Sequence, residues 1–258
     1  MFRKRSITRA RKWTNLIGLI AFFTGSFLVS AQAMTTTAGA ADCGVGMGHC
    51  YSIVETNTSS TGYGSFAQIY VENGAAPDWS WGGFLTEELW VFTGDSDGYW
   101  VESGYIYGSV SSNGYGAPWN YVGPGPNWFW ADERPDGTYH THVLTSFGSP
   151  LNFLGDPVDV SISYEGSSEW NVYIGGVLAG VSTSNPCCSY DSETGGEAYT
   201  FQPTSYLDTT ADTNLAWQAS QGAAWTSCWP PPYAEYLYTG TTGAWWVTGC
   251  DWLNSYTG

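Results

Sequence analysis

Two glutamates stand alone in runs that otherwise read as buried strands: Glu102 in Tyr99-Trp100-Val101-Glu102-Ser103-Gly104-Tyr105-Ile106-Tyr107-Gly108, and Glu197 in Thr194-Gly195-Gly196-Glu197-Ala198-Tyr199-Thr200-Phe201. Alternate side chains of a strand share a face, so Trp100, Glu102, Gly104 and Ile106 point one way and Val101, Ser103, Tyr105 and Tyr107 the other. Glu197 shares its face with Tyr199 and Phe201, and the two glycines before it let a substrate or another backbone come close. An ionised carboxylate in such company is costly unless paired or hydrogen-bonded, and its pKa rises in response. Two such groups on one face of a sheet divide into an acid and a base, which is what hydrolytic chemistry needs. The structural alternative is that each glutamate anchors a hydrogen-bond network.

Other constellations are weaker. No Gly-x-Ser-x-Gly elbow is present for serine catalysis. His140 and His142 share a strand face, but no third metal ligand accompanies them, and exposed strand surface describes them better. No Cys-x-x-Cys pairing with histidines suggests zinc. No metal or other cofactor is therefore expected. Trp128-Phe129-Trp130 with Arg134 forms either an aromatic platform for peptide or sugar or a set of core residues beside a turn. Glu87 and Glu88 flank the strand Leu89-Trp90-Val91.

The elements that must position these groups are short strands. From Asp42 onward, β-rich runs alternate with Gly, Ser, Asn, Asp and Pro punctuation and no helical period is sustained. Strands are expected at about 51–55, 65–72, 88–93, 99–108, 127–132, 138–145, 157–164, 169–175, 177–183, 196–202, 214–219, 233–238 and 244–249. Gly175-Gly176 between two such runs is a hairpin signal. This spacing predicts an all-β protein, an antiparallel sandwich or jelly roll.

Residues 1–33 read as a secretory signal peptide. Arg3, Lys4, Arg5, Arg9, Arg11 and Lys12 precede an apolar run from Leu16 to Val29, and Ala31-Gln32-Ala33 offers a cleavage site, with a later one as far as Ala41. The remainder, 42–258, is expected to be one secreted domain with an N-terminal arm at 42–64 and C-terminal strands at 203–258. Six of the seven Lys and Arg lie in the leader and none of the 23 Asp and Glu do, so the mature chain carries 1 − 23 = −22. Without a basic footprint, nucleic acid and anionic membrane surfaces are excluded as partners. Such a surplus of acid suits an acidic medium, where self-repulsion relaxes, and a monomer is expected. Six cysteines in a secreted chain imply disulfides. Cys43 with Cys50 and Cys228 with Cys250 are plausible pairs, leaving Cys187 and Cys188 as a vicinal bridge or as partners of other cysteines.

Four segments in order, Trp90-Val91-Phe92-Thr93-Gly94-Asp95, Val101-Glu102-Ser103-Gly104-Tyr105-Ile106-Tyr107, Trp128-Phe129-Trp130-Ala131-Asp132 and Gly195-Gly196-Glu197-Ala198-Tyr199, resemble the glutamic peptidases, the fungal eqolisins and plant neprosins. The resemblance spans about residues 65–202 and implies a β-sandwich related to the concanavalin-like jelly roll. Glu102 falls where eqolisins have a catalytic glutamine and neprosins their first glutamate, and Glu197 falls at the second catalytic position of both. Trp90, Trp100, Trp128, Trp130 and Tyr199 would then line the substrate cleft. The 128–130 segment lacks the glutamate of the eqolisin Trp-Tyr-Glu-Trp pattern, and the stretch before Cys43 is short for a prosegment.

The resemblance implies a secreted, acid-active endopeptidase in which water attacks the peptide bond directly, with a polypeptide as substrate. Two carboxyls among many tryptophans also describe a glycoside hydrolase. A lectin-like jelly-roll module binding polysaccharide, with both glutamates structural, is the non-enzymatic alternative.

Overall fold

The computed structural model describes residues 49–56, 62–75, 83–94, 98–111, 119–121, 125–199, 206–229, 233–237, 243–248 and 250–257. In chain order its strands are β1 (His49–Thr56), β2 (Gly64–Tyr70), β3 (Gly74–Ala75), β4 (Phe84–Thr93), β5 (Trp100–Ser111), β6 (Trp119–Tyr121), β7 (Asn127–Glu133), β8 (Tyr139–Val143), β9 (Pro157–Gly166), β10 (Glu169–Ile174), β11 (Val177–Ser182), β12 (Ser189–Tyr199), β13 (Tyr206–Trp217), β14 (Thr226–Ser227), β15 (Tyr233–Leu237), β16 (Gly243–Thr248) and β17 (Asp251–Thr257). They form two antiparallel sheets. The first runs β15-β1-β12-β4-β5-β7-β8 with β6 on β5, and the second β11-β10-β9-β2-β13-β17-β16 with β3 and β14 on β13.

Alternation along each strand decides which side chains meet between the sheets. Val158, Val160 and Ile162 of β9 and Trp170, Val172 and Ile174 of β10 are buried, with polar or open positions between them. They pack with Leu85, Leu89, Val91, Val101, Tyr105, Tyr107, Trp128 and Trp130 of the first sheet in one core. Burying each large apolar side chain contributes roughly 1.5–3 kcal/mol. The antiparallel sandwich predicted from the punctuation is the fold observed.

In β4 and β5 the alternation disappears, because nearly every residue is buried on both faces. One face meets the second sheet. The other carries a separate apolar cluster of Ile106, Val110, Phe129 and Ala131, with Phe84, Tyr139 and Val143 against it. A polar residue on that second face is therefore enclosed although it lies outside the main core.

Several boundaries differ from the expected ones. β4 starts at Phe84, β12 at Ser189 and β13 at Tyr206, earlier than the apolar content of those stretches suggests. Pairing on both edges extends them: β12 is laddered to β4 from Ser189 to Tyr199 and to β1 from Glu193 to Tyr199. Tertiary context overrides the low strand propensity of Asp, Glu and Gly there. The short strands β3, β6 and β14 and the terminal β17 carry too little periodic signal to be anticipated.

Cys187 and Cys188 form a vicinal disulfide. Cys228 pairs with Cys250, Cα atoms 4.6 Å apart, and both residues also hydrogen-bond the backbone of Leu215 in β13. The bridge thereby clips the segment after β14 and the turn before β17 onto one strand. The expected Cys43–Cys50 pair lies outside the described residues.

Candidate active site

The site is set by three central neighbours, β12, β4 and β5, whose register is unbroken along β4 from Phe84 to Phe92. Trp90 of β4 faces Glu102 of β5 on one side and Glu193 of β12 on the other. Two residues back, Glu88 lies between Gly104 and Gly195; two further, Thr86 lies between Ile106 and Glu197. By alternation these residues share the face turned away from the second sheet. Glu102 and Glu197 are thus on the same face but four residues apart along β4, and a third carboxyl, Glu88, occupies the diagonal between them. All three are enclosed, with exposures of 5% for Glu102, 1% for Glu88 and 8% for Glu197.

Glu102 is held by aromatic donors. The Trp100 indole N–H donates to its Oε2 at 2.6 Å, the Tyr139 hydroxyl donates to its Oε1, and the Trp90 side chain makes a further hydrogen bond. Burial is nevertheless the largest influence and, with the nearby Glu197 charge added, it pushes the Glu102 carboxyl up to about 8 against the three donors. Glu102 therefore keeps its proton through neutrality. Burial also raises Tyr139, and the Glu102 charge adds to it.

Glu88 is the more isolated group. Its Oε1 accepts from the Thr86 hydroxyl at 2.5 Å, and its Oε2 is buried with no partner among the described residues. Burial first, then the charges of Glu102 and Glu197, raise it well above the usual carboxylate range. The Thr86 hydroxyl in turn accepts the backbone N–H of Glu197 at 3.2 Å. One threonine thus ties the Glu88 carboxyl to the strand bearing Glu197.

The glycines beside Glu88 are required by space. A Cβ on Gly104 would lie 2.0 Å from the Glu87 carbonyl oxygen and 2.7 Å from the Glu88 Cα. Gly195 has φ +134°, and a Cβ there would lie 2.1 Å from the Ser52 oxygen. No other residue fits either position without moving backbone.

The expected cleft aromatics divide. Trp90 and Trp100 contact Glu102, and Tyr199 lies on the same face at the far end, stacked on Phe84 with ring centroids 5.6 Å apart. Trp128 and Trp130 do not line this face; they belong to the core between the sheets. Trp128 packs edge-on against Tyr105, and Trp130 lies over Gly180 of β11, where an added Cβ would come within 2.2 Å of its ring. Phe129, between them, is the one turned to the site face. The physical reason is parity: in β7, Trp128 and Trp130 pair with Tyr105 and Ser103, whereas Phe129 pairs with Gly104.

Sequence inspection missed Glu88, Thr86 and Tyr139. Glu88 sits two residues before Trp90, and that spacing is the available signal that both share a face. Glu87 and Glu88 do not flank the strand; they lie inside β4 on opposite faces. His142 stacks on Trp130 at 4.0 Å, with burial lowering its pKa. His140 Nδ1 is 3.4 Å from Asp132 Oδ1. Asp132 also accepts from Arg134 Nε at 2.9 Å and from Ser182 Oγ at 2.6 Å. Arg134, the only Lys or Arg after residue 12, is therefore engaged away from the three carboxyls.

No sequence-family model matches the chain, and no characterised protein matches it by sequence. Solved structures do match its fold. A scytalido-glutamic peptidase crystallised with a transition state analog inhibitor superposes with TM-score 0.53 at 9% identity, covering 82% of this chain and 100% of that one. The same peptidase with a peptide-based transition state analog gives 0.51 at 10% identity over the same shares. A member of the eqolisin family in complex with the tripeptide Ala-Ile-His gives 0.49 at 10% identity, again over 82% and 100%. The two-sheet scaffold that presents Glu102, Glu88 and Glu197 on one enclosed face is a glutamic peptidase-like fold.

Proposed function

We propose that this chain is a secreted glutamic-type endopeptidase that hydrolyses polypeptide by direct attack of water. The observation that supports it is the gathering of Glu102, Glu88 and Glu197 on one enclosed, aromatic-walled face, at least two of them holding protons where free carboxyls would not. Glu197, the most open of the three to solvent, is assigned as the base that takes a proton from water and then returns it to the leaving amine. Protonated Glu102, oriented by Trp100, Trp90 and Tyr139, donates a hydrogen bond to the developing oxyanion. Loss of one such donor typically costs about 10²–10³ in rate, and a positioned base contributes about 10²–10⁴. Secretion follows from the leader at residues 1–33, which lies outside the described residues.

The test is hydrolysis of a denatured protein substrate across acid to neutral pH. The parent protein cleaves it, and Glu197→Gln, with unchanged circular dichroism, loses at least about 10²-fold in kcat/KM. Full proteolysis by that variant refutes the assignment. Insoluble polysaccharide assayed in parallel separates the peptidase from the sugar-directed alternatives.

A further inference from the structure

Glu102 and Glu197 are not cross-strand neighbours. They stand two strands apart and four residues apart along β4, so a peptide whose carbonyl reaches one and whose attacking water reaches the other lies over the residue between them. That residue is Glu88. It opposes Gly104 of β5 and Gly195 of β12, which makes it the diagonal neighbour of both glutamates, at the Cβ separation of roughly 7–8 Å usual for such positions. Neither glycine raises a side chain beside it, and a Cβ at Gly104 would come within 2.7 Å of the Glu88 Cβ. Across these three strands the row carries one side chain, a carboxyl.

The state of that carboxyl follows from its contacts. The Thr86 hydroxyl donates to Oε1 at 2.5 Å, so a proton held by the group sits on Oε2. Oε2 is buried and has no partner among the described residues. Ionised there, between two more carboxyls, it would be costly; protonated, it is a donor without an acceptor. A buried polar atom left unused in this way calls for a partner from outside the chain. Glu102 differs in having both oxygens engaged, Oε2 by the Trp100 indole and Oε1 by the Tyr139 hydroxyl. An oxyanion between two carboxyls at diagonal spacing can accept from each at about 2.5–2.7 Å.

On the peptidase reading, on which this step rests, we infer that Glu88 is a further catalytic residue: its Oε2–H is a second donor to the oxyanion, which lodges between Glu88 and Glu102. As the water oxygen bonds to the carbonyl carbon, its proton passes to Glu197 and the carbonyl electron pair moves onto the oxygen held by the two donors. Collapse re-forms the carbonyl and breaks the C–N bond, Glu197 returning the proton to nitrogen. Glu88 keeps its own proton throughout. Thr86 is a positioning residue, since it holds Glu88 Oε1 and accepts the Glu197 backbone N–H at 3.2 Å.

The test is steady-state hydrolysis of a fluorogenic peptide by the full chain and its variants at acid pH. Glu88→Met keeps the volume and removes the donor. It should lower kcat about 10²–10³-fold with KM within about twofold of the parent and no fall in melting temperature; Glu88→Leu serves the same purpose if the methionine variant does not fold. Glu88→Gln places an amide N–H where the O–H was and keeps an acceptor for Thr86, so its kcat should exceed that of Glu88→Met by at least about tenfold. Parental kcat in Glu88→Met, a loss confined to KM, or a folded Glu88→Gln no faster than Glu88→Met overturns the assignment. In those cases the peptidase reading stands if Glu197→Gln still abolishes hydrolysis; hydrolysis unaffected by Glu197→Gln refutes that reading and the role of Glu88 together.

Discussion

Glu102 carries a hydrogen-bond shell that opposes its protonation and an enclosure that favours it, and enclosure wins. The consequence is a carboxylic acid able to donate from acid pH up to about 8. Activity that depends on this donor should fall as pH rises through about 8. In Glu102→Gln the amide N–H donates at every pH, so part of the activity should remain and the alkaline limb near 8 should vanish from the pH–rate profile. A variant whose alkaline limb is unchanged shows that another group titrates there. Glu88 was the residue least legible beforehand. Adjacent to Glu87 it looks like half of a solvated acidic pair, and only the pairing of β4 on both edges shows that one glutamate enters the core and the other the site face.

At the scale of elements, β4 and β5 differ from ordinary sandwich strands in being covered on both faces. Gly104 makes that possible by letting Glu88 lie against bare backbone. Gly104→Ala must displace β4, so it should destabilise the protein by about 1–3 kcal/mol in denaturant titration, as overpacked cores do. It should also lower kcat/KM. Trp128 offers the contrasting test. As a core residue, its replacement by Ala should cost about 3–5 kcal/mol while leaving KM nearly unchanged for the molecules that remain folded; a raised KM without loss of stability would return Trp128 to the cleft. The tryptophan-rich segment 128–130 advertises importance in one dimension, but its use depends on strand parity relative to β5, which composition does not reveal.

At the scale of the whole molecule, protons act as countercharges. Glu87 and Asp212 hydrogen-bond each other between the sheets, and Thr194 donates to Asp212 at 2.9 Å. Burial raises Asp212 from its ordinary 3.8 to about 7. Glu88 and Glu102 are raised as well. The folded chain therefore binds protons that the unfolded chain releases. Their stabilisation is complete below about pH 4 and is lost as pH rises through about 7 for Asp212 and about 8 for Glu102. Repulsion within a chain of net charge −16 acts in the same direction. Melting temperature in the absence of added cations should accordingly be higher near pH 4 than near pH 8, the difference corresponding to on the order of a few kcal/mol. A maximum at neutral pH would contradict this. Asp212→Asn, already neutral, should flatten the dependence.

The features legible in the residues alone are local and periodic. Alternation made the chain a sandwich of strands, placed Trp100, Glu102 and Gly104 on one side of their strand and Glu197 with Tyr199 on one side of another, and the motif order matched a glutamic peptidase-like scaffold. Charge counting identified an acidic chain whose Lys and Arg, Arg134 apart, all lie within its first 12 residues. Which strands became neighbours, and in what register, is settled by folding, since a ladder between residues about 100 positions apart is fixed by the packing of both sheets together. That pairing inserted Glu88 between the two glutamates and turned Trp128 and Trp130 inward.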